Sequence, residues 1–238
     1  MKAVSELSIK IFADGADKRT MIDMLRNPLI RGFTTNPTLM RKAGISDYAA
    51  FAHDILEEIR EHPISFEVFA DEFPEMERQA QEIASWGDNV FVKVPITNTR
   101  GEPTLDLISR LSHGGIKLNV TALLALDQVR DVCSALDKNV PAYVSVFAGR
   151  VADTGRDPVP LMTAALEYLK LLDHAELIWA SPRELLNIFQ ADAIGCQVIT
   201  VTGDILHKLS LVGKDLHEYS LDTVSMFYKD ATASGYRL

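Results

Sequence analysis

Eight apolar, β-rich runs alternate along this chain with stretches whose apolar residues recur every three or four positions. Such alternation is typical of α/β folds, in which helices join the strands of a parallel sheet. Eight units in 238 residues predict one (β/α)8 TIM barrel domain over residues 1–238. The predicted strands are 8–13, 32–35, 65–70, 89–94, 117–121, 142–148, 176–180 and 197–201.

The helical pattern completes the predicted barrel and leaves a tail, 221–238, as a C-terminal helical extension. A doubly wound sheet is the alternative, but it would usually show a glycine-rich phosphate loop after the first strand. The residues that follow the first strand, Ala13-Asp14-Gly15-Ala16, do not supply one. The clearest predicted helices are 48–61, 75–85, 123–136, 159–172, 183–191 and, in the tail, 222–231.

Composition limits the classes of function. A net charge of −9 argues against nucleic acid or an anionic membrane surface as a partner, because both would favour a basic face. The two cysteines, Cys133 and Cys196, form no spaced framework, which predicts a reduced, cytoplasmic protein. No segment has the length and apolarity of a signal peptide or a membrane span. The spacing of the six histidines suggests no metal cluster, so a zinc-type aldolase is not expected.

Lys93 stands at the end of an apolar run, Val90-Phe91-Val92-Lys93-Val94-Pro95. Lysine is rarely buried without a partner, and a low dielectric disfavours the charged form of an amine. A neutral amine is the group that forms a Schiff base with a carbonyl substrate. The alternative is an edge-strand lysine whose ammonium reaches water.

Polar residues stand near the C-terminal end of each predicted strand, where an ordinary core would not place them. In barrels, catalytic groups come from this end of several strands and from the loops that follow. A ring of such residues therefore indicates a site at one mouth of the barrel. The ring consists of Asp14, Asn36, Glu67, Lys93, Thr121, Ser145 with Arg150 just beyond, Ser181 and Thr202.

Carbon–carbon cleavage through a Schiff base needs a neutral lysine, a group that moves protons through water, and a base for a hydroxyl. Glu67 and Asp14 are the available carboxylates, although carboxylates near a lysine also stabilise its ammonium. Thr121 suits a water ligand, and Asn36 suits a hydrogen bond to a substrate hydroxyl. Structural alternatives stay open: Asp14 as a helix cap, Asn36 at a turn or helix start, and Thr121 as an ordinary strand residue.

These motifs together resemble the transaldolase family in its short form, within the class I aldolase group that also contains fructose-6-phosphate aldolase. The match extends through most of the chain, to about residue 210. The Thr-Thr-Asn-Pro and Val-Lys-Val-Pro-Ile-Thr motifs are highly specific in combination. The matching segments are Ile11-Phe12-Ala13-Asp14, Gly32-Phe33-Thr34-Thr35-Asn36-Pro37-Thr38, Ser65-Phe66-Glu67-Val68, Val92-Lys93-Val94-Pro95-Ile96-Thr97, Asn119-Val120-Thr121 and Val144-Ser145-Val146-Phe147-Ala148-Gly149-Arg150.

The resemblance implies a role for each matched position. Lys93 is the implied Schiff-base lysine, and Glu67 and Thr121 are the implied pair that organises the catalytic water. Asp14 is the implied acid/base at the sugar hydroxyl. The implied substrate contacts are Thr35, Asn36, Ser145, Phe147 and the phosphate ligand Arg150, whose alternative role is a surface salt bridge.

Two positions discriminate within the group, and one segment departs from it. Transaldolases carry Glu on the third strand and Phe on the sixth, where the aldolase branch tends to use Gln and Tyr; this chain has Glu67 and Phe147. After strand seven the family usually shows a serine and a basic residue that bind phosphate. Ser181 and Arg183 keep that spacing, but Pro182 separates them and the loop looks shorter. Arg183 is thus either a second phosphate ligand beside an anion-binding helix start, or a helix-surface charge.

The predicted function is transfer of a dihydroxyacetone unit between sugar phosphates through a lysine Schiff base, with no metal and no cofactor. The alternatives are an aldolase that releases free dihydroxyacetone and a barrel that binds sugar phosphates without catalysis. In the tail, Leu221, Val224, Phe227 and Tyr228 form an apolar stripe at mostly helical spacing. We predict that the stripe packs on a neighbouring subunit of a homo-oligomer, and the resemblance suggests a ring-based decamer. The alternative is that the stripe packs on its own barrel.

Overall fold

The fold is a closed barrel of eight parallel strands, as seen in a computed structural model that describes residues 2–237. Each strand pairs with the next along the chain, and the last strand, β8, pairs with β1. The predicted (β/α)8 barrel is confirmed. The strands are β1 Lys10–Asp14, β2 Ile30–Thr34, β3 Ile64–Glu67, β4 Val90–Pro95, β5 Leu118–Leu123, β6 Ala142–Val146, β7 Ala175–Trp179 and β8 Val198–Thr202.

Helices follow the strands and surround the barrel. Aspartate or asparagine side chains cap several of them by accepting a hydrogen bond from a first-turn N–H, and three of the capped helices begin at Lys18, Pro37 and Tyr48. The helices are α1 Lys18–Leu25, α2 Pro37–Lys42, α3 Tyr48–Leu56, α4 Phe73–Ala84, α5 Leu105–His113, α6 Leu126–Ala135, α7 Ala148–Asp153, α8 Val159–Leu169, α9 Leu186–Ala193, α10 Gly203–His207 and α11 Leu216–Ala233, with 3-10 turns at Val4–Glu6 and Lys208–Leu211.

Some element boundaries differ from the predicted ones because side chains compete for backbone groups. Strand β3 ends at Glu67 instead of residue 70, since Gln79 Oε1 accepts hydrogen bonds from the N–H groups of Phe69 and Ala70. Helix α3 ends at Leu56 instead of residue 61. The side-chain amide of Asn89 then holds the following turn through the carbonyls at residues 59 and 62.

The interior of the barrel contains an apolar layer that is separate from the larger core between strands and helices. Phe12, Phe91, Tyr143, Ile178 and Val198 are buried in this layer. At residue 32 only glycine fits, because a Cβ there would lie 2.6 Å from the ring of Phe12. The layer closes the barrel beneath the C-terminal ends of its strands.

The C-terminal helix α11, Leu216–Ala233, is longer than predicted and carries no buried residue. The predicted apolar stripe is exposed: Val224 is 60% exposed and Tyr228 is 72% exposed. The alternative in which this stripe packs on its own barrel is therefore wrong. No helix within residues 2–237 combines the length and apolarity needed to cross a bilayer.

Candidate active site

A cavity of about 540 Å3 opens at the C-terminal ends of the barrel strands. We call it the mouth cavity. The apolar layer described above lies deeper in the barrel, and of its buried residues only Ala180 lines the cavity. Ten of the predicted site residues line it: Asp14, Asn36, Glu67, Lys93, Thr121, Ser145, Phe147, Arg150, Ser181 and Arg183.

Lys93 is buried, and its amine has two polar neighbours. Its Nζ lies 3.1 Å from Glu67 Oε2, and it donates a hydrogen bond to the carbonyl oxygen of Thr35 at 3.0 Å. The register of the sheet brings the ion pair together, because Glu67 on β3 pairs with Lys93 on β4. Of the two neighbours, Glu67 is the one with a carboxylate, the type of group that exchanges protons in general acid–base catalysis.

Asp14, at the end of β1, is part of a hydrogen-bonded chain of side chains. Its Oδ1 accepts from the Thr34 hydroxyl at 2.7 Å, and Thr34 Oγ1 lies 2.5 Å from Thr200 Oγ1. Burial raises the pKa of the Asp14 carboxyl, against the lowering effect of the nearby Lys93 charge. Asp14 is not a helix cap; Asp17 caps α1. A carboxyl with a raised pKa is suited to exchange a proton with a substrate hydroxyl.

Thr121 is placed by an irregularity in the sheet. Between β5 and β6 the pairing shifts, so that residues 121 and 122 oppose one residue of β6, and Ala122 has a φ of 64°. Such a bulge changes the direction of a side chain at the rim of a barrel. The Thr121 hydroxyl is buried, and it has no hydrogen-bond partner among residues 2–237. It therefore offers both a donor and an acceptor to a molecule in the mouth cavity.

Ser145 lies on β6, opposite the bulge, within a buried polar network. Its hydroxyl donates to Asn119 Oδ1 at 2.7 Å, and Asn119 Nδ2 donates to Ser65 Oγ at 3.0 Å. Since the Ser145 proton is used inside the protein, its oxygen faces the cavity as an acceptor. A substrate hydroxyl is the group that fits this arrangement.

Asn36 serves the fold and lines the cavity with the same side chain. It is the N-cap of α2, and its Oδ1 accepts from the N–H of Leu39 at 2.9 Å. Pro37 occupies the first turn, where its missing N–H costs nothing. The predicted helix start at this position is confirmed. The amide nitrogen of Asn36 donates to no group within residues 2–237, so its donors face a ligand.

The two arginines that line the cavity differ in their partners. The Arg150 guanidinium lies 5.5 Å from the centre of the Phe147 ring, and among residues 2–237 it forms no ion pair with a carboxylate. Arg183 donates from Nε to Asp153 Oδ1 at 2.9 Å and from Nη2 to the second oxygen of the same carboxylate. Arg150 thus keeps its positive charge available to the cavity, while Asp153 largely neutralises Arg183.

The segment after β7 contradicts one expectation. Helix α9 begins at Leu186 rather than residue 183, and the N–H groups of Arg183 and Glu184 both donate to Asn187 Oδ1. These two amides are therefore occupied, and they are not free to bind an anion. Ser181 has a φ of 60°, and a Cβ at Gly149 would lie 1.5 Å from its carbonyl oxygen. Only glycine on α7 permits this close approach.

Thr35, a predicted substrate contact, does not line the mouth cavity. Its side chain is fully buried and its hydroxyl donates to the carbonyl of Ser65, so only its own carbonyl reaches Lys93. Thr34, Asn119 and Thr200 line the cavity and were not predicted as site residues. Two of them could have been predicted from the sequence, because residues two positions apart on a strand face the same side of the sheet. Asn119 lies two positions before Thr121, and Thr200 lies two positions before Thr202.

A protein-family model described as "Transaldolase/Fructose-6-phosphate aldolase" matches residues 11–237. The chain belongs to this family. The match extends beyond the limit expected from the motifs, about residue 210, into helix α11.

Curated relatives carry the name "Probable transaldolase" and align over most of their length. One from Dehalococcoides mccartyi is 35% identical over 202 residues, covering 84% of this chain and 90% of the relative. One from Streptococcus pyogenes is 32% identical over 203 residues, 85% of this chain and 90% of the relative. One from Maridesulfovibrio salexigens is 31% identical over 218 residues, 90% of this chain and 97% of the relative.

A solved structure, that of a mandelate oxidase mutant with an FMN adduct, superposes with a TM-score of 0.55 at 12% sequence identity. The superposition covers 83% of this chain and 65% of that chain. At this identity the likeness shows the barrel fold alone.

We expect Asp14→Asn to raise the free energy of unfolding at neutral pH. Because burial raises the pKa of Asp14, the unfolded chain releases this proton at lower pH than the folded protein does. The wild type therefore loses stability relative to the variant as pH rises from about 4 through the folded pKa. Urea unfolding of both proteins from about pH 4 to about pH 7 measures the difference.

Asp17→Asn is the matched control, with the opposite sign. Hydrogen bonds from Thr20 lower the pKa of Asp17, so its ionised form stabilises the fold above the unfolded pKa. Asp17→Asn should therefore have a lower free energy of unfolding than the wild type at neutral pH, and the difference should decrease as pH falls. If the free energies of unfolding of the wild type and Asp14→Asn differ by the same amount at every pH from about 4 to about 7, the argument for Asp14 is contradicted.

Proposed function

We propose that this protein transfers a dihydroxyacetone unit from a ketose phosphate to an aldose phosphate through a Schiff base on Lys93. The observation that carries the proposal is the buried pair of Lys93 and Glu67, 3.1 Å apart, in a cavity that also presents Asp14. Family membership and the names of the relatives support the same reaction.

In the first half of the reaction, Glu67 takes a proton from Lys93, and the neutral amine attacks the C2 carbonyl of the ketose. Glu67 returns the proton to the hydroxyl of the resulting carbinolamine, which leaves as water and gives an iminium ion. Asp14 then accepts the proton of the C4 hydroxyl. The C3–C4 bond breaks, its electrons neutralise the iminium as an enamine, and the shortened aldehyde leaves.

In the second half, the enamine carbon attacks the aldehyde of the acceptor while Asp14 returns its proton to the new hydroxyl. Water adds to the resulting iminium, and the product ketose leaves Lys93. Glu67 and the unpaired hydroxyl of Thr121 are the groups we assign to hold this water. Ser145 and Asn36 are assigned to the substrate hydroxyls, through an acceptor and a donor respectively.

Transfer, rather than release of free dihydroxyacetone, is supported by Glu67 and Phe147. Release requires protonation of the enamine carbon, and a phenol at position 147 would supply a hydroxyl to hold a water or donate a proton there. Phe147 supplies an apolar ring instead, which Arg150 covers from one side. The enamine is thereby kept for the acceptor aldehyde.

The proposal is tested by trapping and by product analysis on one preparation. With fructose 6-phosphate, borohydride should reduce the iminium and label Lys93, which peptide mapping would locate. With erythrose 4-phosphate added, a seven-carbon ketose phosphate should form faster than free dihydroxyacetone.

Label on Lys117 or Lys170, with Lys93 unmodified, would contradict the mechanism. Lys117 donates to the Asp88 carbonyl and Lys170 pairs with Glu167 on α8, so neither serves the mouth cavity. Labelled Lys93 with dihydroxyacetone as the dominant product would instead identify an aldolase. No label on any lysine, with no product formed, would leave only a binding function.

We expect Arg150→Ala to raise KM for fructose 6-phosphate about 10- to 100-fold, since a hydrogen bond to a charged group contributes about 1.5–3 kcal/mol. Turnover of unphosphorylated fructose should change much less. Arg183→Ala is the matched comparison and should have the smaller effect, because Asp153 already neutralises Arg183. Steady-state kinetics with both sugars measures these differences. Equal losses for the two variants would contradict Arg150 as the main phosphate ligand.

We also propose that the exposed stripe of α11 packs on another copy of the chain, forming a ring-based homo-oligomer. Phe227 is 62% exposed and Val224 is 60% exposed, a large apolar area for a surface helix. Light scattering at micromolar concentration should show an oligomer. Val224→Asp with Phe227→Asp should shift it to smaller species, while the control Lys229→Asp should not. A monomeric wild type would contradict the proposal.

A cytoplasmic location and small sugar phosphates as the substrates complete the proposal. Cys133 and Cys196 are both buried free thiols, which suits a reducing compartment. The net charge of −9 disfavours nucleic acid and leaves local cations, above all Arg150, to attract the substrate phosphate.

A further inference from the structure

Strand β3 lacks its expected hydrogen-bond partners at Glu67. In the parallel ladder between β2 and β3, the N–H of Phe33 donates to the Pro63 carbonyl at 2.8 Å, and the N–H of Thr35 donates to the Ser65 carbonyl at 3.1 Å. Continuation of this pattern would join the Glu67 N–H to the Thr35 carbonyl, and the N–H of residue 37 to the Glu67 carbonyl.

Neither of these bonds forms. The Thr35 carbonyl accepts from Lys93 Nζ instead, and residue 37 is Pro37, which has no N–H. Both backbone groups of Glu67 that face β2 are therefore left without a strand partner. An unpaired backbone group at a part-buried position is costly, so the fold must satisfy them in another way.

The Tyr48 hydroxyl occupies this position. It donates to the Glu67 carbonyl at 2.9 Å and accepts from the Glu67 N–H at 2.7 Å. Tyr48 is the first residue of α3, and its ring packs edge-on against Phe66 and Phe69 with centroids 6.3 and 5.5 Å away. Burial raises the pKa of the phenol, so the hydroxyl keeps the proton that it donates.

We propose that Tyr48 is a positioning residue for catalysis: its hydroxyl replaces the missing β2 partner of Glu67 and fixes the carboxylate against Lys93. Because the Tyr48 hydroxyl takes the place of that strand partner, the Thr35 carbonyl is free to orient the amine of Lys93. Tyr48 lines no part of the mouth cavity, so it acts through Glu67 and not on the substrate. The inference rests on the proposed function, because it takes the hydrogen bonds between Tyr48 and Glu67 to serve the reaction at Lys93.

The test uses Tyr48→Phe, which removes the hydroxyl and keeps the ring. We expect kcat for transfer to fall by about 10²-fold, the effect of misplacing a reacting group by roughly 1 Å, with KM little changed. Tyr168→Phe on α8 is the matched control, since the Tyr168 hydroxyl bonds to no group within residues 2–237; it should retain wild-type kinetics. A merely structural role for Tyr48 would lower the unfolding temperature and leave kcat of the folded enzyme unchanged, and that result would overturn the proposal.

A double-mutant cycle with Glu67→Gln tests whether Tyr48 acts through Glu67. Once the carboxylate is gone, loss of the Tyr48 hydroxyl should lower kcat by no more than about 3-fold, because two residues that act as a unit are not additive. An equal loss from Tyr48→Phe in both backgrounds would overturn the proposal.

Amide hydrogen exchange provides a readout that is independent of activity and does not require the variant to fold. In the wild type, the Glu67 amide should be as protected as that of Val68, which donates to the Lys93 carbonyl. Rapid exchange at Glu67 would show that Tyr48 does not hold it, and would overturn the proposal. If the wild type gives no borohydride adduct, the proposed function fails, and the catalytic role of Tyr48 is overturned with it even where protection at Glu67 is found.

Discussion

The amine of Lys93 lies 3.1 Å from the Glu67 carboxylate, at the mouth of the barrel and above its apolar layer. Removal of either partner would leave a charge with little solvent and no counter-charge. The register of β3 against β4 brings this pair together, and the Thr35 carbonyl and the Tyr48 hydroxyl bond to it from the side of β2. A reactive amine and its proton acceptor are thus held in one geometry before any substrate enters.

Several features around the pair are unfavourable for stability and favourable for chemistry. Burial of Asp14 raises its pKa, so the ionised carboxylate is held at a cost to the folded state. Ala122 and Ser181 have left-handed backbone conformations that residues with a side chain seldom adopt. Such features collect at functional sites because the surrounding structure can hold them in place. The barrel supplies that support through its closed sheet and its two apolar cores.

Positive charge is unevenly distributed in the mouth cavity. The protein is acidic overall, yet two arginines line the mouth cavity. The carboxylate of Asp153 neutralises one of them, so the electrostatic attraction for a phosphate is concentrated on the other, Arg150. The sequence offers both arginines as candidate phosphate ligands, and the ion pair with Asp153 makes them different.

The sequence by itself determined the alternation of strands and helices, hence the barrel, and the residue types at the strand ends. These follow from local periodicity and from side-chain chemistry, which a linear pattern records. Only the tertiary structure decided which neighbours compete for each group. It turned Thr35 away from the cavity, bound the amides before α9 to Asn187, paired Arg183 with Asp153 and brought Tyr48 to Glu67. Some of these hydrogen-bonding and ion-pairing partners lie far apart in the chain. Others depend on the direction in which one side chain points. Hydrophobic periodicity carries no information about long-range pairing or about side-chain direction.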